Sequence, residues 1–280
     1  MPTAQAPAPE IAATEENWPS IDQNTYTLIN DEKTLQAWID EAYAVGEVCI
    51  DTETTSLTPA KAKLVGISLT STVGKAAYIP VGHVTEQADL LGESQGSDIP
   101  QLPSDKVLTM LKPLLEDESV MKIAHNMKYD WQLFAKHGIH VAPCDDTLLI
   151  SYVLDGSSHK HSMDALADNY LEHQPIKYEE VAGKGKAQVT FDKVDIEKAL
   201  DYAAEDAEIT LRLYKLLKPR LIQEQMVSVY ENIERPLIPV IAQMELEGIK
   251  VDPAILKSMS TDFGKRIADL EDEINKLAGT

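Results

Sequence analysis

The apolar positions change period along the chain, and the changes lay out its elements. A short apolar run at 26–29 reads as a strand. Asn30 and Asp31 offer a cap for a helix over 32–44, where Leu35, Trp38, Ile39 and Ala42 recur at helical spacing and predict one buried face. Val48-Cys49-Ile50 marks the next strand. Further strands are expected at 64–70 and 76–81, separated by a turn at 72–74, so three consecutive strands should form a meander. Residues 82–103 are polar with scattered Gly and Pro and read as a surface loop. Beyond them the period is helical, with short strands between. A helix capped by Ser104 should reach Leu115, and Lys122-Ile123-Ala124 suits a buried strand ended by His125-Asn126. Helices follow at 127–137, stopped by Gly138, then at 146–154 and at 162–171, the last capped by Ser162. The longest periodic run is 195–217, with Ile196, Leu200, Ala203, Ala204, Ala207, Leu211 and Tyr214 on one stripe. No internal repeat is found. Strands followed by helices around one sheet predict an α/β (α+β) domain.

Composition narrows the class. With 280 residues and 44% hydrophobic positions the chain can bury a sizeable core. A net charge of -21 excludes a protein that coats nucleic acid or an anionic membrane through a broad basic face, but not one that holds nucleic acid at a locally neutralised site. Cys49 and Cys144 read as reduced thiols, which suits the cytoplasm. No apolar run is long enough for a membrane span, and the N-terminus has no signal-peptide pattern, so no membrane partner is expected. Residues 1–22, rich in Pro and Ala, read as a disordered linker or tail.

The chemistry centres on Asp51-Thr52-Glu53. Strand alternation sends both carboxylates to one side at the strand's C-terminal end. Anions that close require a proton or a cation between them, and Mg²⁺ and Mn²⁺ favour oxygen ligands. The triplet alone also fits a turn-capping Asp51 with a solvated Glu53. Downstream, Asp130 follows Asn126 by four residues and Asp206 follows Tyr202 by four, so each pair shares a helical face. Asp206 lies among Ala203, Ala204 and Ala207, small residues that would let its helix approach a sheet closely. Ordinary exposed acids remain the alternative for both.

Three segments carry a resemblance. Asp51-Thr52-Glu53-Thr54-Thr55-Ser56-Leu57, His125-Asn126-Met127-Lys128-Tyr129-Asp130 and Tyr202-Ala203-Ala204-Glu205-Asp206 resemble, in order, the motifs of the DEDD exonuclease superfamily in its tyrosine-containing branch. Ser162-Met163-Asp164-Ala165-Leu166-Ala167, the segment from Glu179 to Lys186 and Glu231-Asn232-Ile233-Glu234-Arg235-Pro236-Leu237 look like parts of bacterial family A DNA polymerases. The resemblance covers about 24–280. It implies an RNase H-like 3′-5′ proofreading exonuclease domain over 23–218 and the truncated start of a polymerase domain, its first thumb helices, over 219–280. It further implies two divalent cations, Mg²⁺ with Mn²⁺ or Zn²⁺ as substitutes, held by Asp51, Glu53, Asp130 and Asp206, with Tyr202 orienting the attacking water. Expected substrate contacts are Leu57, Asn126, Lys128, Tyr129 and Tyr178, and Lys160, Lys184 and Lys186 could meet phosphates. The partners implied are a single-stranded DNA 3′ end and the polymerase domain of a full-length protein, in a nucleoid-associated cytoplasmic setting. No polymerase activity is expected of the chain itself.

Two other motifs carry less. His159 and His161 have no further His or Cys at zinc spacing. Gly183-Lys184-Gly185-Lys186 lacks the spacing and the Ser or Thr of a nucleotide loop, and reads as a segment that moves over DNA or lies disordered. An RNA-trimming relative and a catalytically silent scaffold remain as alternatives.

Overall fold

A six-stranded mixed sheet organises the computed structural model, which describes residues 18–84 and 100–279. Its strands are β1 (Thr27–Leu28), β2 (Glu47–Thr54), β3 (Leu64–Thr72), β4 (Lys75–Pro80), β5 (Met121–Ala124) and β6 (Cys144–Asp146), in the spatial order β1-β4-β3-β2-β5-β6. β2, β3 and β4 form the expected antiparallel meander, and β5 and β6 extend the sheet in parallel from β2. This is the predicted α/β class. The expected loop at 82–103 lies outside the described residues between 85 and 99, as does the expected tail up to residue 17.

Local chemistry accounts for most boundaries. Before α1 (Glu32–Val45) the Asp31 carboxylate accepts from the Thr34 amide, and Leu35, Trp38, Ile39 and Ala42 are buried as the spacing predicts. Gly46, at φ 82°, ends the helix and delivers the chain into β2. Two predicted caps differ from expectation. Pro103, not Ser104, precedes the first turn of α2 (Ser104–Glu116). Ser162 stands at the cap of α5 (Met163–Leu171), but its hydroxyl makes no capping bond; its carbonyl accepts from Leu166 instead.

β6 was not expected, because Asp145 and Asp146 read as polar. Both are buried and fully partnered. Asp145 accepts from the Tyr214 and Tyr230 hydroxyls at 2.8 and 2.9 Å and pairs with Lys218 at 2.9 Å. A buried carboxylate is tolerated on such terms.

α3 (Met127–Ala135) lies between β5 and β6, and after β6 come α4 (Thr147–Asp155), α5, α6 (Tyr178–Ala182) and α7 (Ile196–Gln223). α7 lies against β2, β3, β4 and β5. Its Ala203, Ala204 and Ala207 are fully buried, so a helix bearing acids can sit close to the sheet. One core cluster joins Cys49, Ile123, Ile150, Leu166, Ile209, Leu213 and Leu217, and both cysteines are free and buried.

Trp18 and Ile21, at the end of the stretch read as a tail, are half-buried against the fold, while Pro19, Ser20 and Asp22 stay exposed. Arg212 of α7 donates to the Pro19 carbonyl at 2.9 Å and lies over the Trp18 ring, 5.8 Å from its centroid. Gly74, at φ 87° in the β3–β4 turn, makes room, since a Cβ there would meet the Pro19 ring at 2.6 Å.

The expected boundary at 218 falls inside α7, which runs unbroken through Pro219. α8 (Val227–Val229), a π-helical turn (Tyr230–Glu234) and α9 (Arg235–Glu247) follow. The first compact unit extends to Gln243. Ile238 is buried in it, while Leu237, Val240 and Ile241 stay exposed. The second unit, from Met244, contains α10 (Pro253–Ala278), capped by Asp252 and ended by Gly279. Among the described residues no helix is long and apolar enough to cross a membrane.

Candidate active site

β2 places its two acids as alternation requires. Asp51 and Glu53 share a side, Thr52 faces the other, and the pairing with β3 shifts register between Glu53 and Thr54. Asp206, on α7, comes up opposite. One carboxylate oxygen each from Asp51, Glu53 and Asp206 lies within 4.8 Å of the others. Glu53 and Asp206 are buried and Asp51 half-buried.

Asp130, the fourth acid, is not in this trio. It is buried on α3, accepts from the Thr52 hydroxyl at 2.5 Å, and is close enough to feel the charge of Asp51.

Crowding and burial shift all four. Burial pushes Asp51 up to about 6. Glu53 is raised well above its ordinary range by burial, then by the charges of Asp51, Asp206 and Asp130. Asp206 is raised by burial, then by Asp51 and Glu205, and Asp130 by burial, then by Asp51. Such a cluster holds protons unless a cation replaces them.

Tyr202, one turn before Asp206, donates its hydroxyl to that carboxylate, and burial beside the acids keeps the phenol protonated. Its ring also packs edge-on against Tyr178, with centroids 6.2 Å apart, and against Phe191. Orienting and packing roles are therefore compatible.

A cavity of about 750 Å³ opens over the trio. Residues 51–57 and Tyr129 form one wall; Tyr178, Tyr202 and residues 188–190 form the other. Leu57 stands at the rim, 96% exposed. Tyr129 donates to the Ser56 carbonyl at 2.6 Å with Thr54 Oγ1 2.5 Å away, and so braces the loop that carries Leu57.

Asn126 and Lys128 line a different, smaller hollow of about 250 Å³, with Leu148, Leu149, Leu237, Ile238 and Ile241. The reason is the turn between β5 and α3, where Asn126 adopts φ 67° and ψ 48°. Of the five expected substrate contacts, three thus surround the main cavity and two lie beside it.

Sequence reasoning missed Gln188, Val189 and Thr190, which carry no motif. They follow the Gly183–Lys186 segment, which contains a 3-10 turn at Gly185–Ala187 and in which Lys184 pairs with Glu179 at 2.7 Å. His159 and His161 have rings 4.9 Å apart, but His161 is engaged by Ser151 and the Gly156 carbonyl, and His159 Nδ1 by the Lys160 carbonyl. Among the described residues the carboxylate trio is the one group with metal-ligand spacing.

Comparison with known proteins agrees with this geometry. A family model described as 3′-5′ exonuclease matches residues 26–222. DNA polymerase I of Rhizobium leguminosarum is 50% identical over 267 residues, covering 92% of this chain and 26% of the relative. DNA polymerase I of Pseudomonas aeruginosa is 39% identical over 258 residues, covering 91% and 27%. The chain thus spans about a quarter of the length of these relatives. The POL domain of Pol1 from M. smegmatis, solved with DNA primer-template and dNTP, superposes with a TM-score of 0.66 at 20% identity, covering 91% of this chain and 38% of that one. Brucella melitensis NrnC bound to pGG gives 0.59 at 22% identity, covering 82% and 97%. Escherichia coli RNase D gives 0.57 at 18% identity, covering 78% and 51%. The solved structures share the fold, a mixed sheet flanked by helices. On the family match and these relatives together, the chain belongs to the 3′-5′ exonuclease family, as the exonuclease segment found in DNA polymerase I.

Proposed function

We propose that this domain removes deoxynucleoside 5′-monophosphates, one at a time, from single-stranded or frayed DNA 3′ ends, as the proofreading nuclease of a longer polymerase. The observation that carries the reading is the convergence of Asp51, Glu53 and Asp206 within 4.8 Å at the base of an open cavity. An all-carboxylate donor set with raised proton affinity fits Mg²⁺ or Mn²⁺ better than Zn²⁺, which prefers nitrogen and sulfur. Asp51, Glu53 and Asp206 would hold one ion, and Asp51 with Asp130 a second. Once bound, two such ions supply an activated water and offset charge at the phosphate.

The remaining roles belong to the chain's own groups. Tyr202, protonated and bonded to Asp206, orients the incoming water through its hydroxyl. Leu57 wedges against the terminal bases, and Tyr178 offers a ring on which one can stack. Tyr129 fixes the Leu57 loop. Asn126, from the smaller hollow, contacts the strand near its 3′ end, and Lys128 meets a phosphate along its path. Residues 23–218 are read as the nuclease and 219–280 as the beginning of a polymerase domain that would deliver the strand in the longer protein. The setting is the bacterial cytoplasm, close to the nucleoid. The chain itself should not extend a primer.

Matched 5′-labelled single-stranded DNA and RNA test the reading. With Mn²⁺ the wild-type chain should shorten DNA stepwise from its 3′ end and faster than RNA, and Asp51→Asn should lower the rate by more than about 100-fold. Preference for RNA would move the function to RNA trimming. Equal, slow release by wild type and Asp51→Asn would leave only a scaffold.

A further inference from the structure

We propose that Asp146 is a positioning residue, a single buried carboxylate that sets where α3 begins and thereby where Tyr129 and Asp130 stand. The proposal rests on the nuclease reading above. Asp146 is the last residue of β6, 2% exposed, and does not line the catalytic cavity.

Its oxygens serve two helices at once. Oδ1 accepts from the Asn126 amide at 3.0 Å and from the Leu148 amide at 2.9 Å; Oδ2 accepts from the Met127 amide at 3.0 Å. The first of these bonds pins a residue in the left-handed region, which a non-glycine seldom occupies without support. The Met127 bond compensates for a missing cap, since the Asn126 side chain at the cap position makes no capping bond. Within one turn of this anchor come the Tyr129 hydroxyl, on the Ser56 carbonyl, and Asp130, on Thr52. Both contacts join α3 to the strand that bears Asp51 and Glu53.

Asp146 is itself held from behind. Its amide donates to the Tyr230 hydroxyl at 3.0 Å, and that hydroxyl donates to Asp145 at 2.9 Å. Tyr230 is fully buried on the π-helical turn, beyond residue 222 where the family match ends. The placement of a site acid thus depends on a tyrosine outside the matched nuclease segment. An amide at position 146 would keep one acceptor oxygen for the Asn126 and Leu148 amides, but its NH₂ would face the Met127 amide and that bond to the first residue of α3 would be lost.

The test uses the whole chain with Asp146→Asn and Tyr230→Phe, at a temperature where unfolding curves show each variant folded. It reads single-turnover cleavage of labelled DNA at saturating Mn²⁺, and Mn²⁺ binding by electron paramagnetic resonance without DNA. Asp146→Asn should cut at least about tenfold more slowly and bind its weaker Mn²⁺ equivalent about tenfold less tightly, with the tighter one unchanged. Tyr230→Phe should shift both in the same direction by about threefold, and carries the test if Asp146→Asn does not fold. Lower thermal stability with a wild-type rate and a wild-type Mn²⁺ isotherm would overturn the proposal, reducing Asp146 to a helix cap. If the wild type itself releases no nucleotide, the nuclease reading fails; the Mn²⁺ isotherms then decide, and identical isotherms overturn the positioning role.

Discussion

Burial raises Asp51 to about 6, and Glu53 and Asp206 are raised well above the usual carboxylate range by burial and then by the charge of Asp51. These pKa values lie above those of the unfolded chain, so between them the folded protein binds more protons, and metal-free stability falls as pH rises through that window. A divalent ion competes with those protons. The Mn²⁺-induced rise in melting temperature should therefore be larger at about pH 8 than at about pH 5.5, by roughly 5 °C, and should vanish in Asp51→Asn. His125, pulled down to about 4 by burial, acts in the opposite sense but equally with and without the ion, so it cancels in the difference. A Mn²⁺ shift that ignores pH would contradict the account. The Asp51–Glu53 juxtaposition was legible because strand alternation fixes it. The Thr52–Asp130 bond was not, because it joins residues 78 positions apart and no local rule encodes it.

α7 is the element on which the site and the fold meet. One part of it carries Tyr202 and Asp206 into the cavity; the next turn fastens the beginning of the described chain. Glu208, fully buried, accepts from Arg212 Nε at 2.9 Å, from the Tyr26 hydroxyl at 2.8 Å and from the Gly74 amide at 3.0 Å. Arg212→Met would leave that carboxylate without its counter-charge and release Pro19. Denaturant unfolding should register a loss of about 3–5 kcal/mol, and a change under about 1 kcal/mol would show that the pair matters little. The alanines of α7 and the apolar stripe of α1 were readable because burial at helical spacing leaves a periodic trace. β6 was unreadable for the opposite reason, since its acids are stabilised by tyrosines and amides from distant segments that leave no mark in the local pattern.

Across the whole molecule, three motifs separated by long stretches of chain supply one cavity, because β2 ends where α7 crosses it and α3 starts beside it. The motifs announced the acids and Tyr202; they did not announce the wall at 188–190, nor that Asn126 and Lys128 open onto a separate hollow. Those placements come from turns whose course depends on packing. The most direct measurement is the anomalous scattering of Mn²⁺ in crystals of the chain soaked with the ion and a short DNA strand. The account predicts a strong peak bounded by Asp51, Glu53 and Asp206, with a second toward Asp130 and the strand's 3′-terminal phosphate beside them. Peaks confined to other surfaces, with the three carboxylates still bare at saturating Mn²⁺, would contradict it.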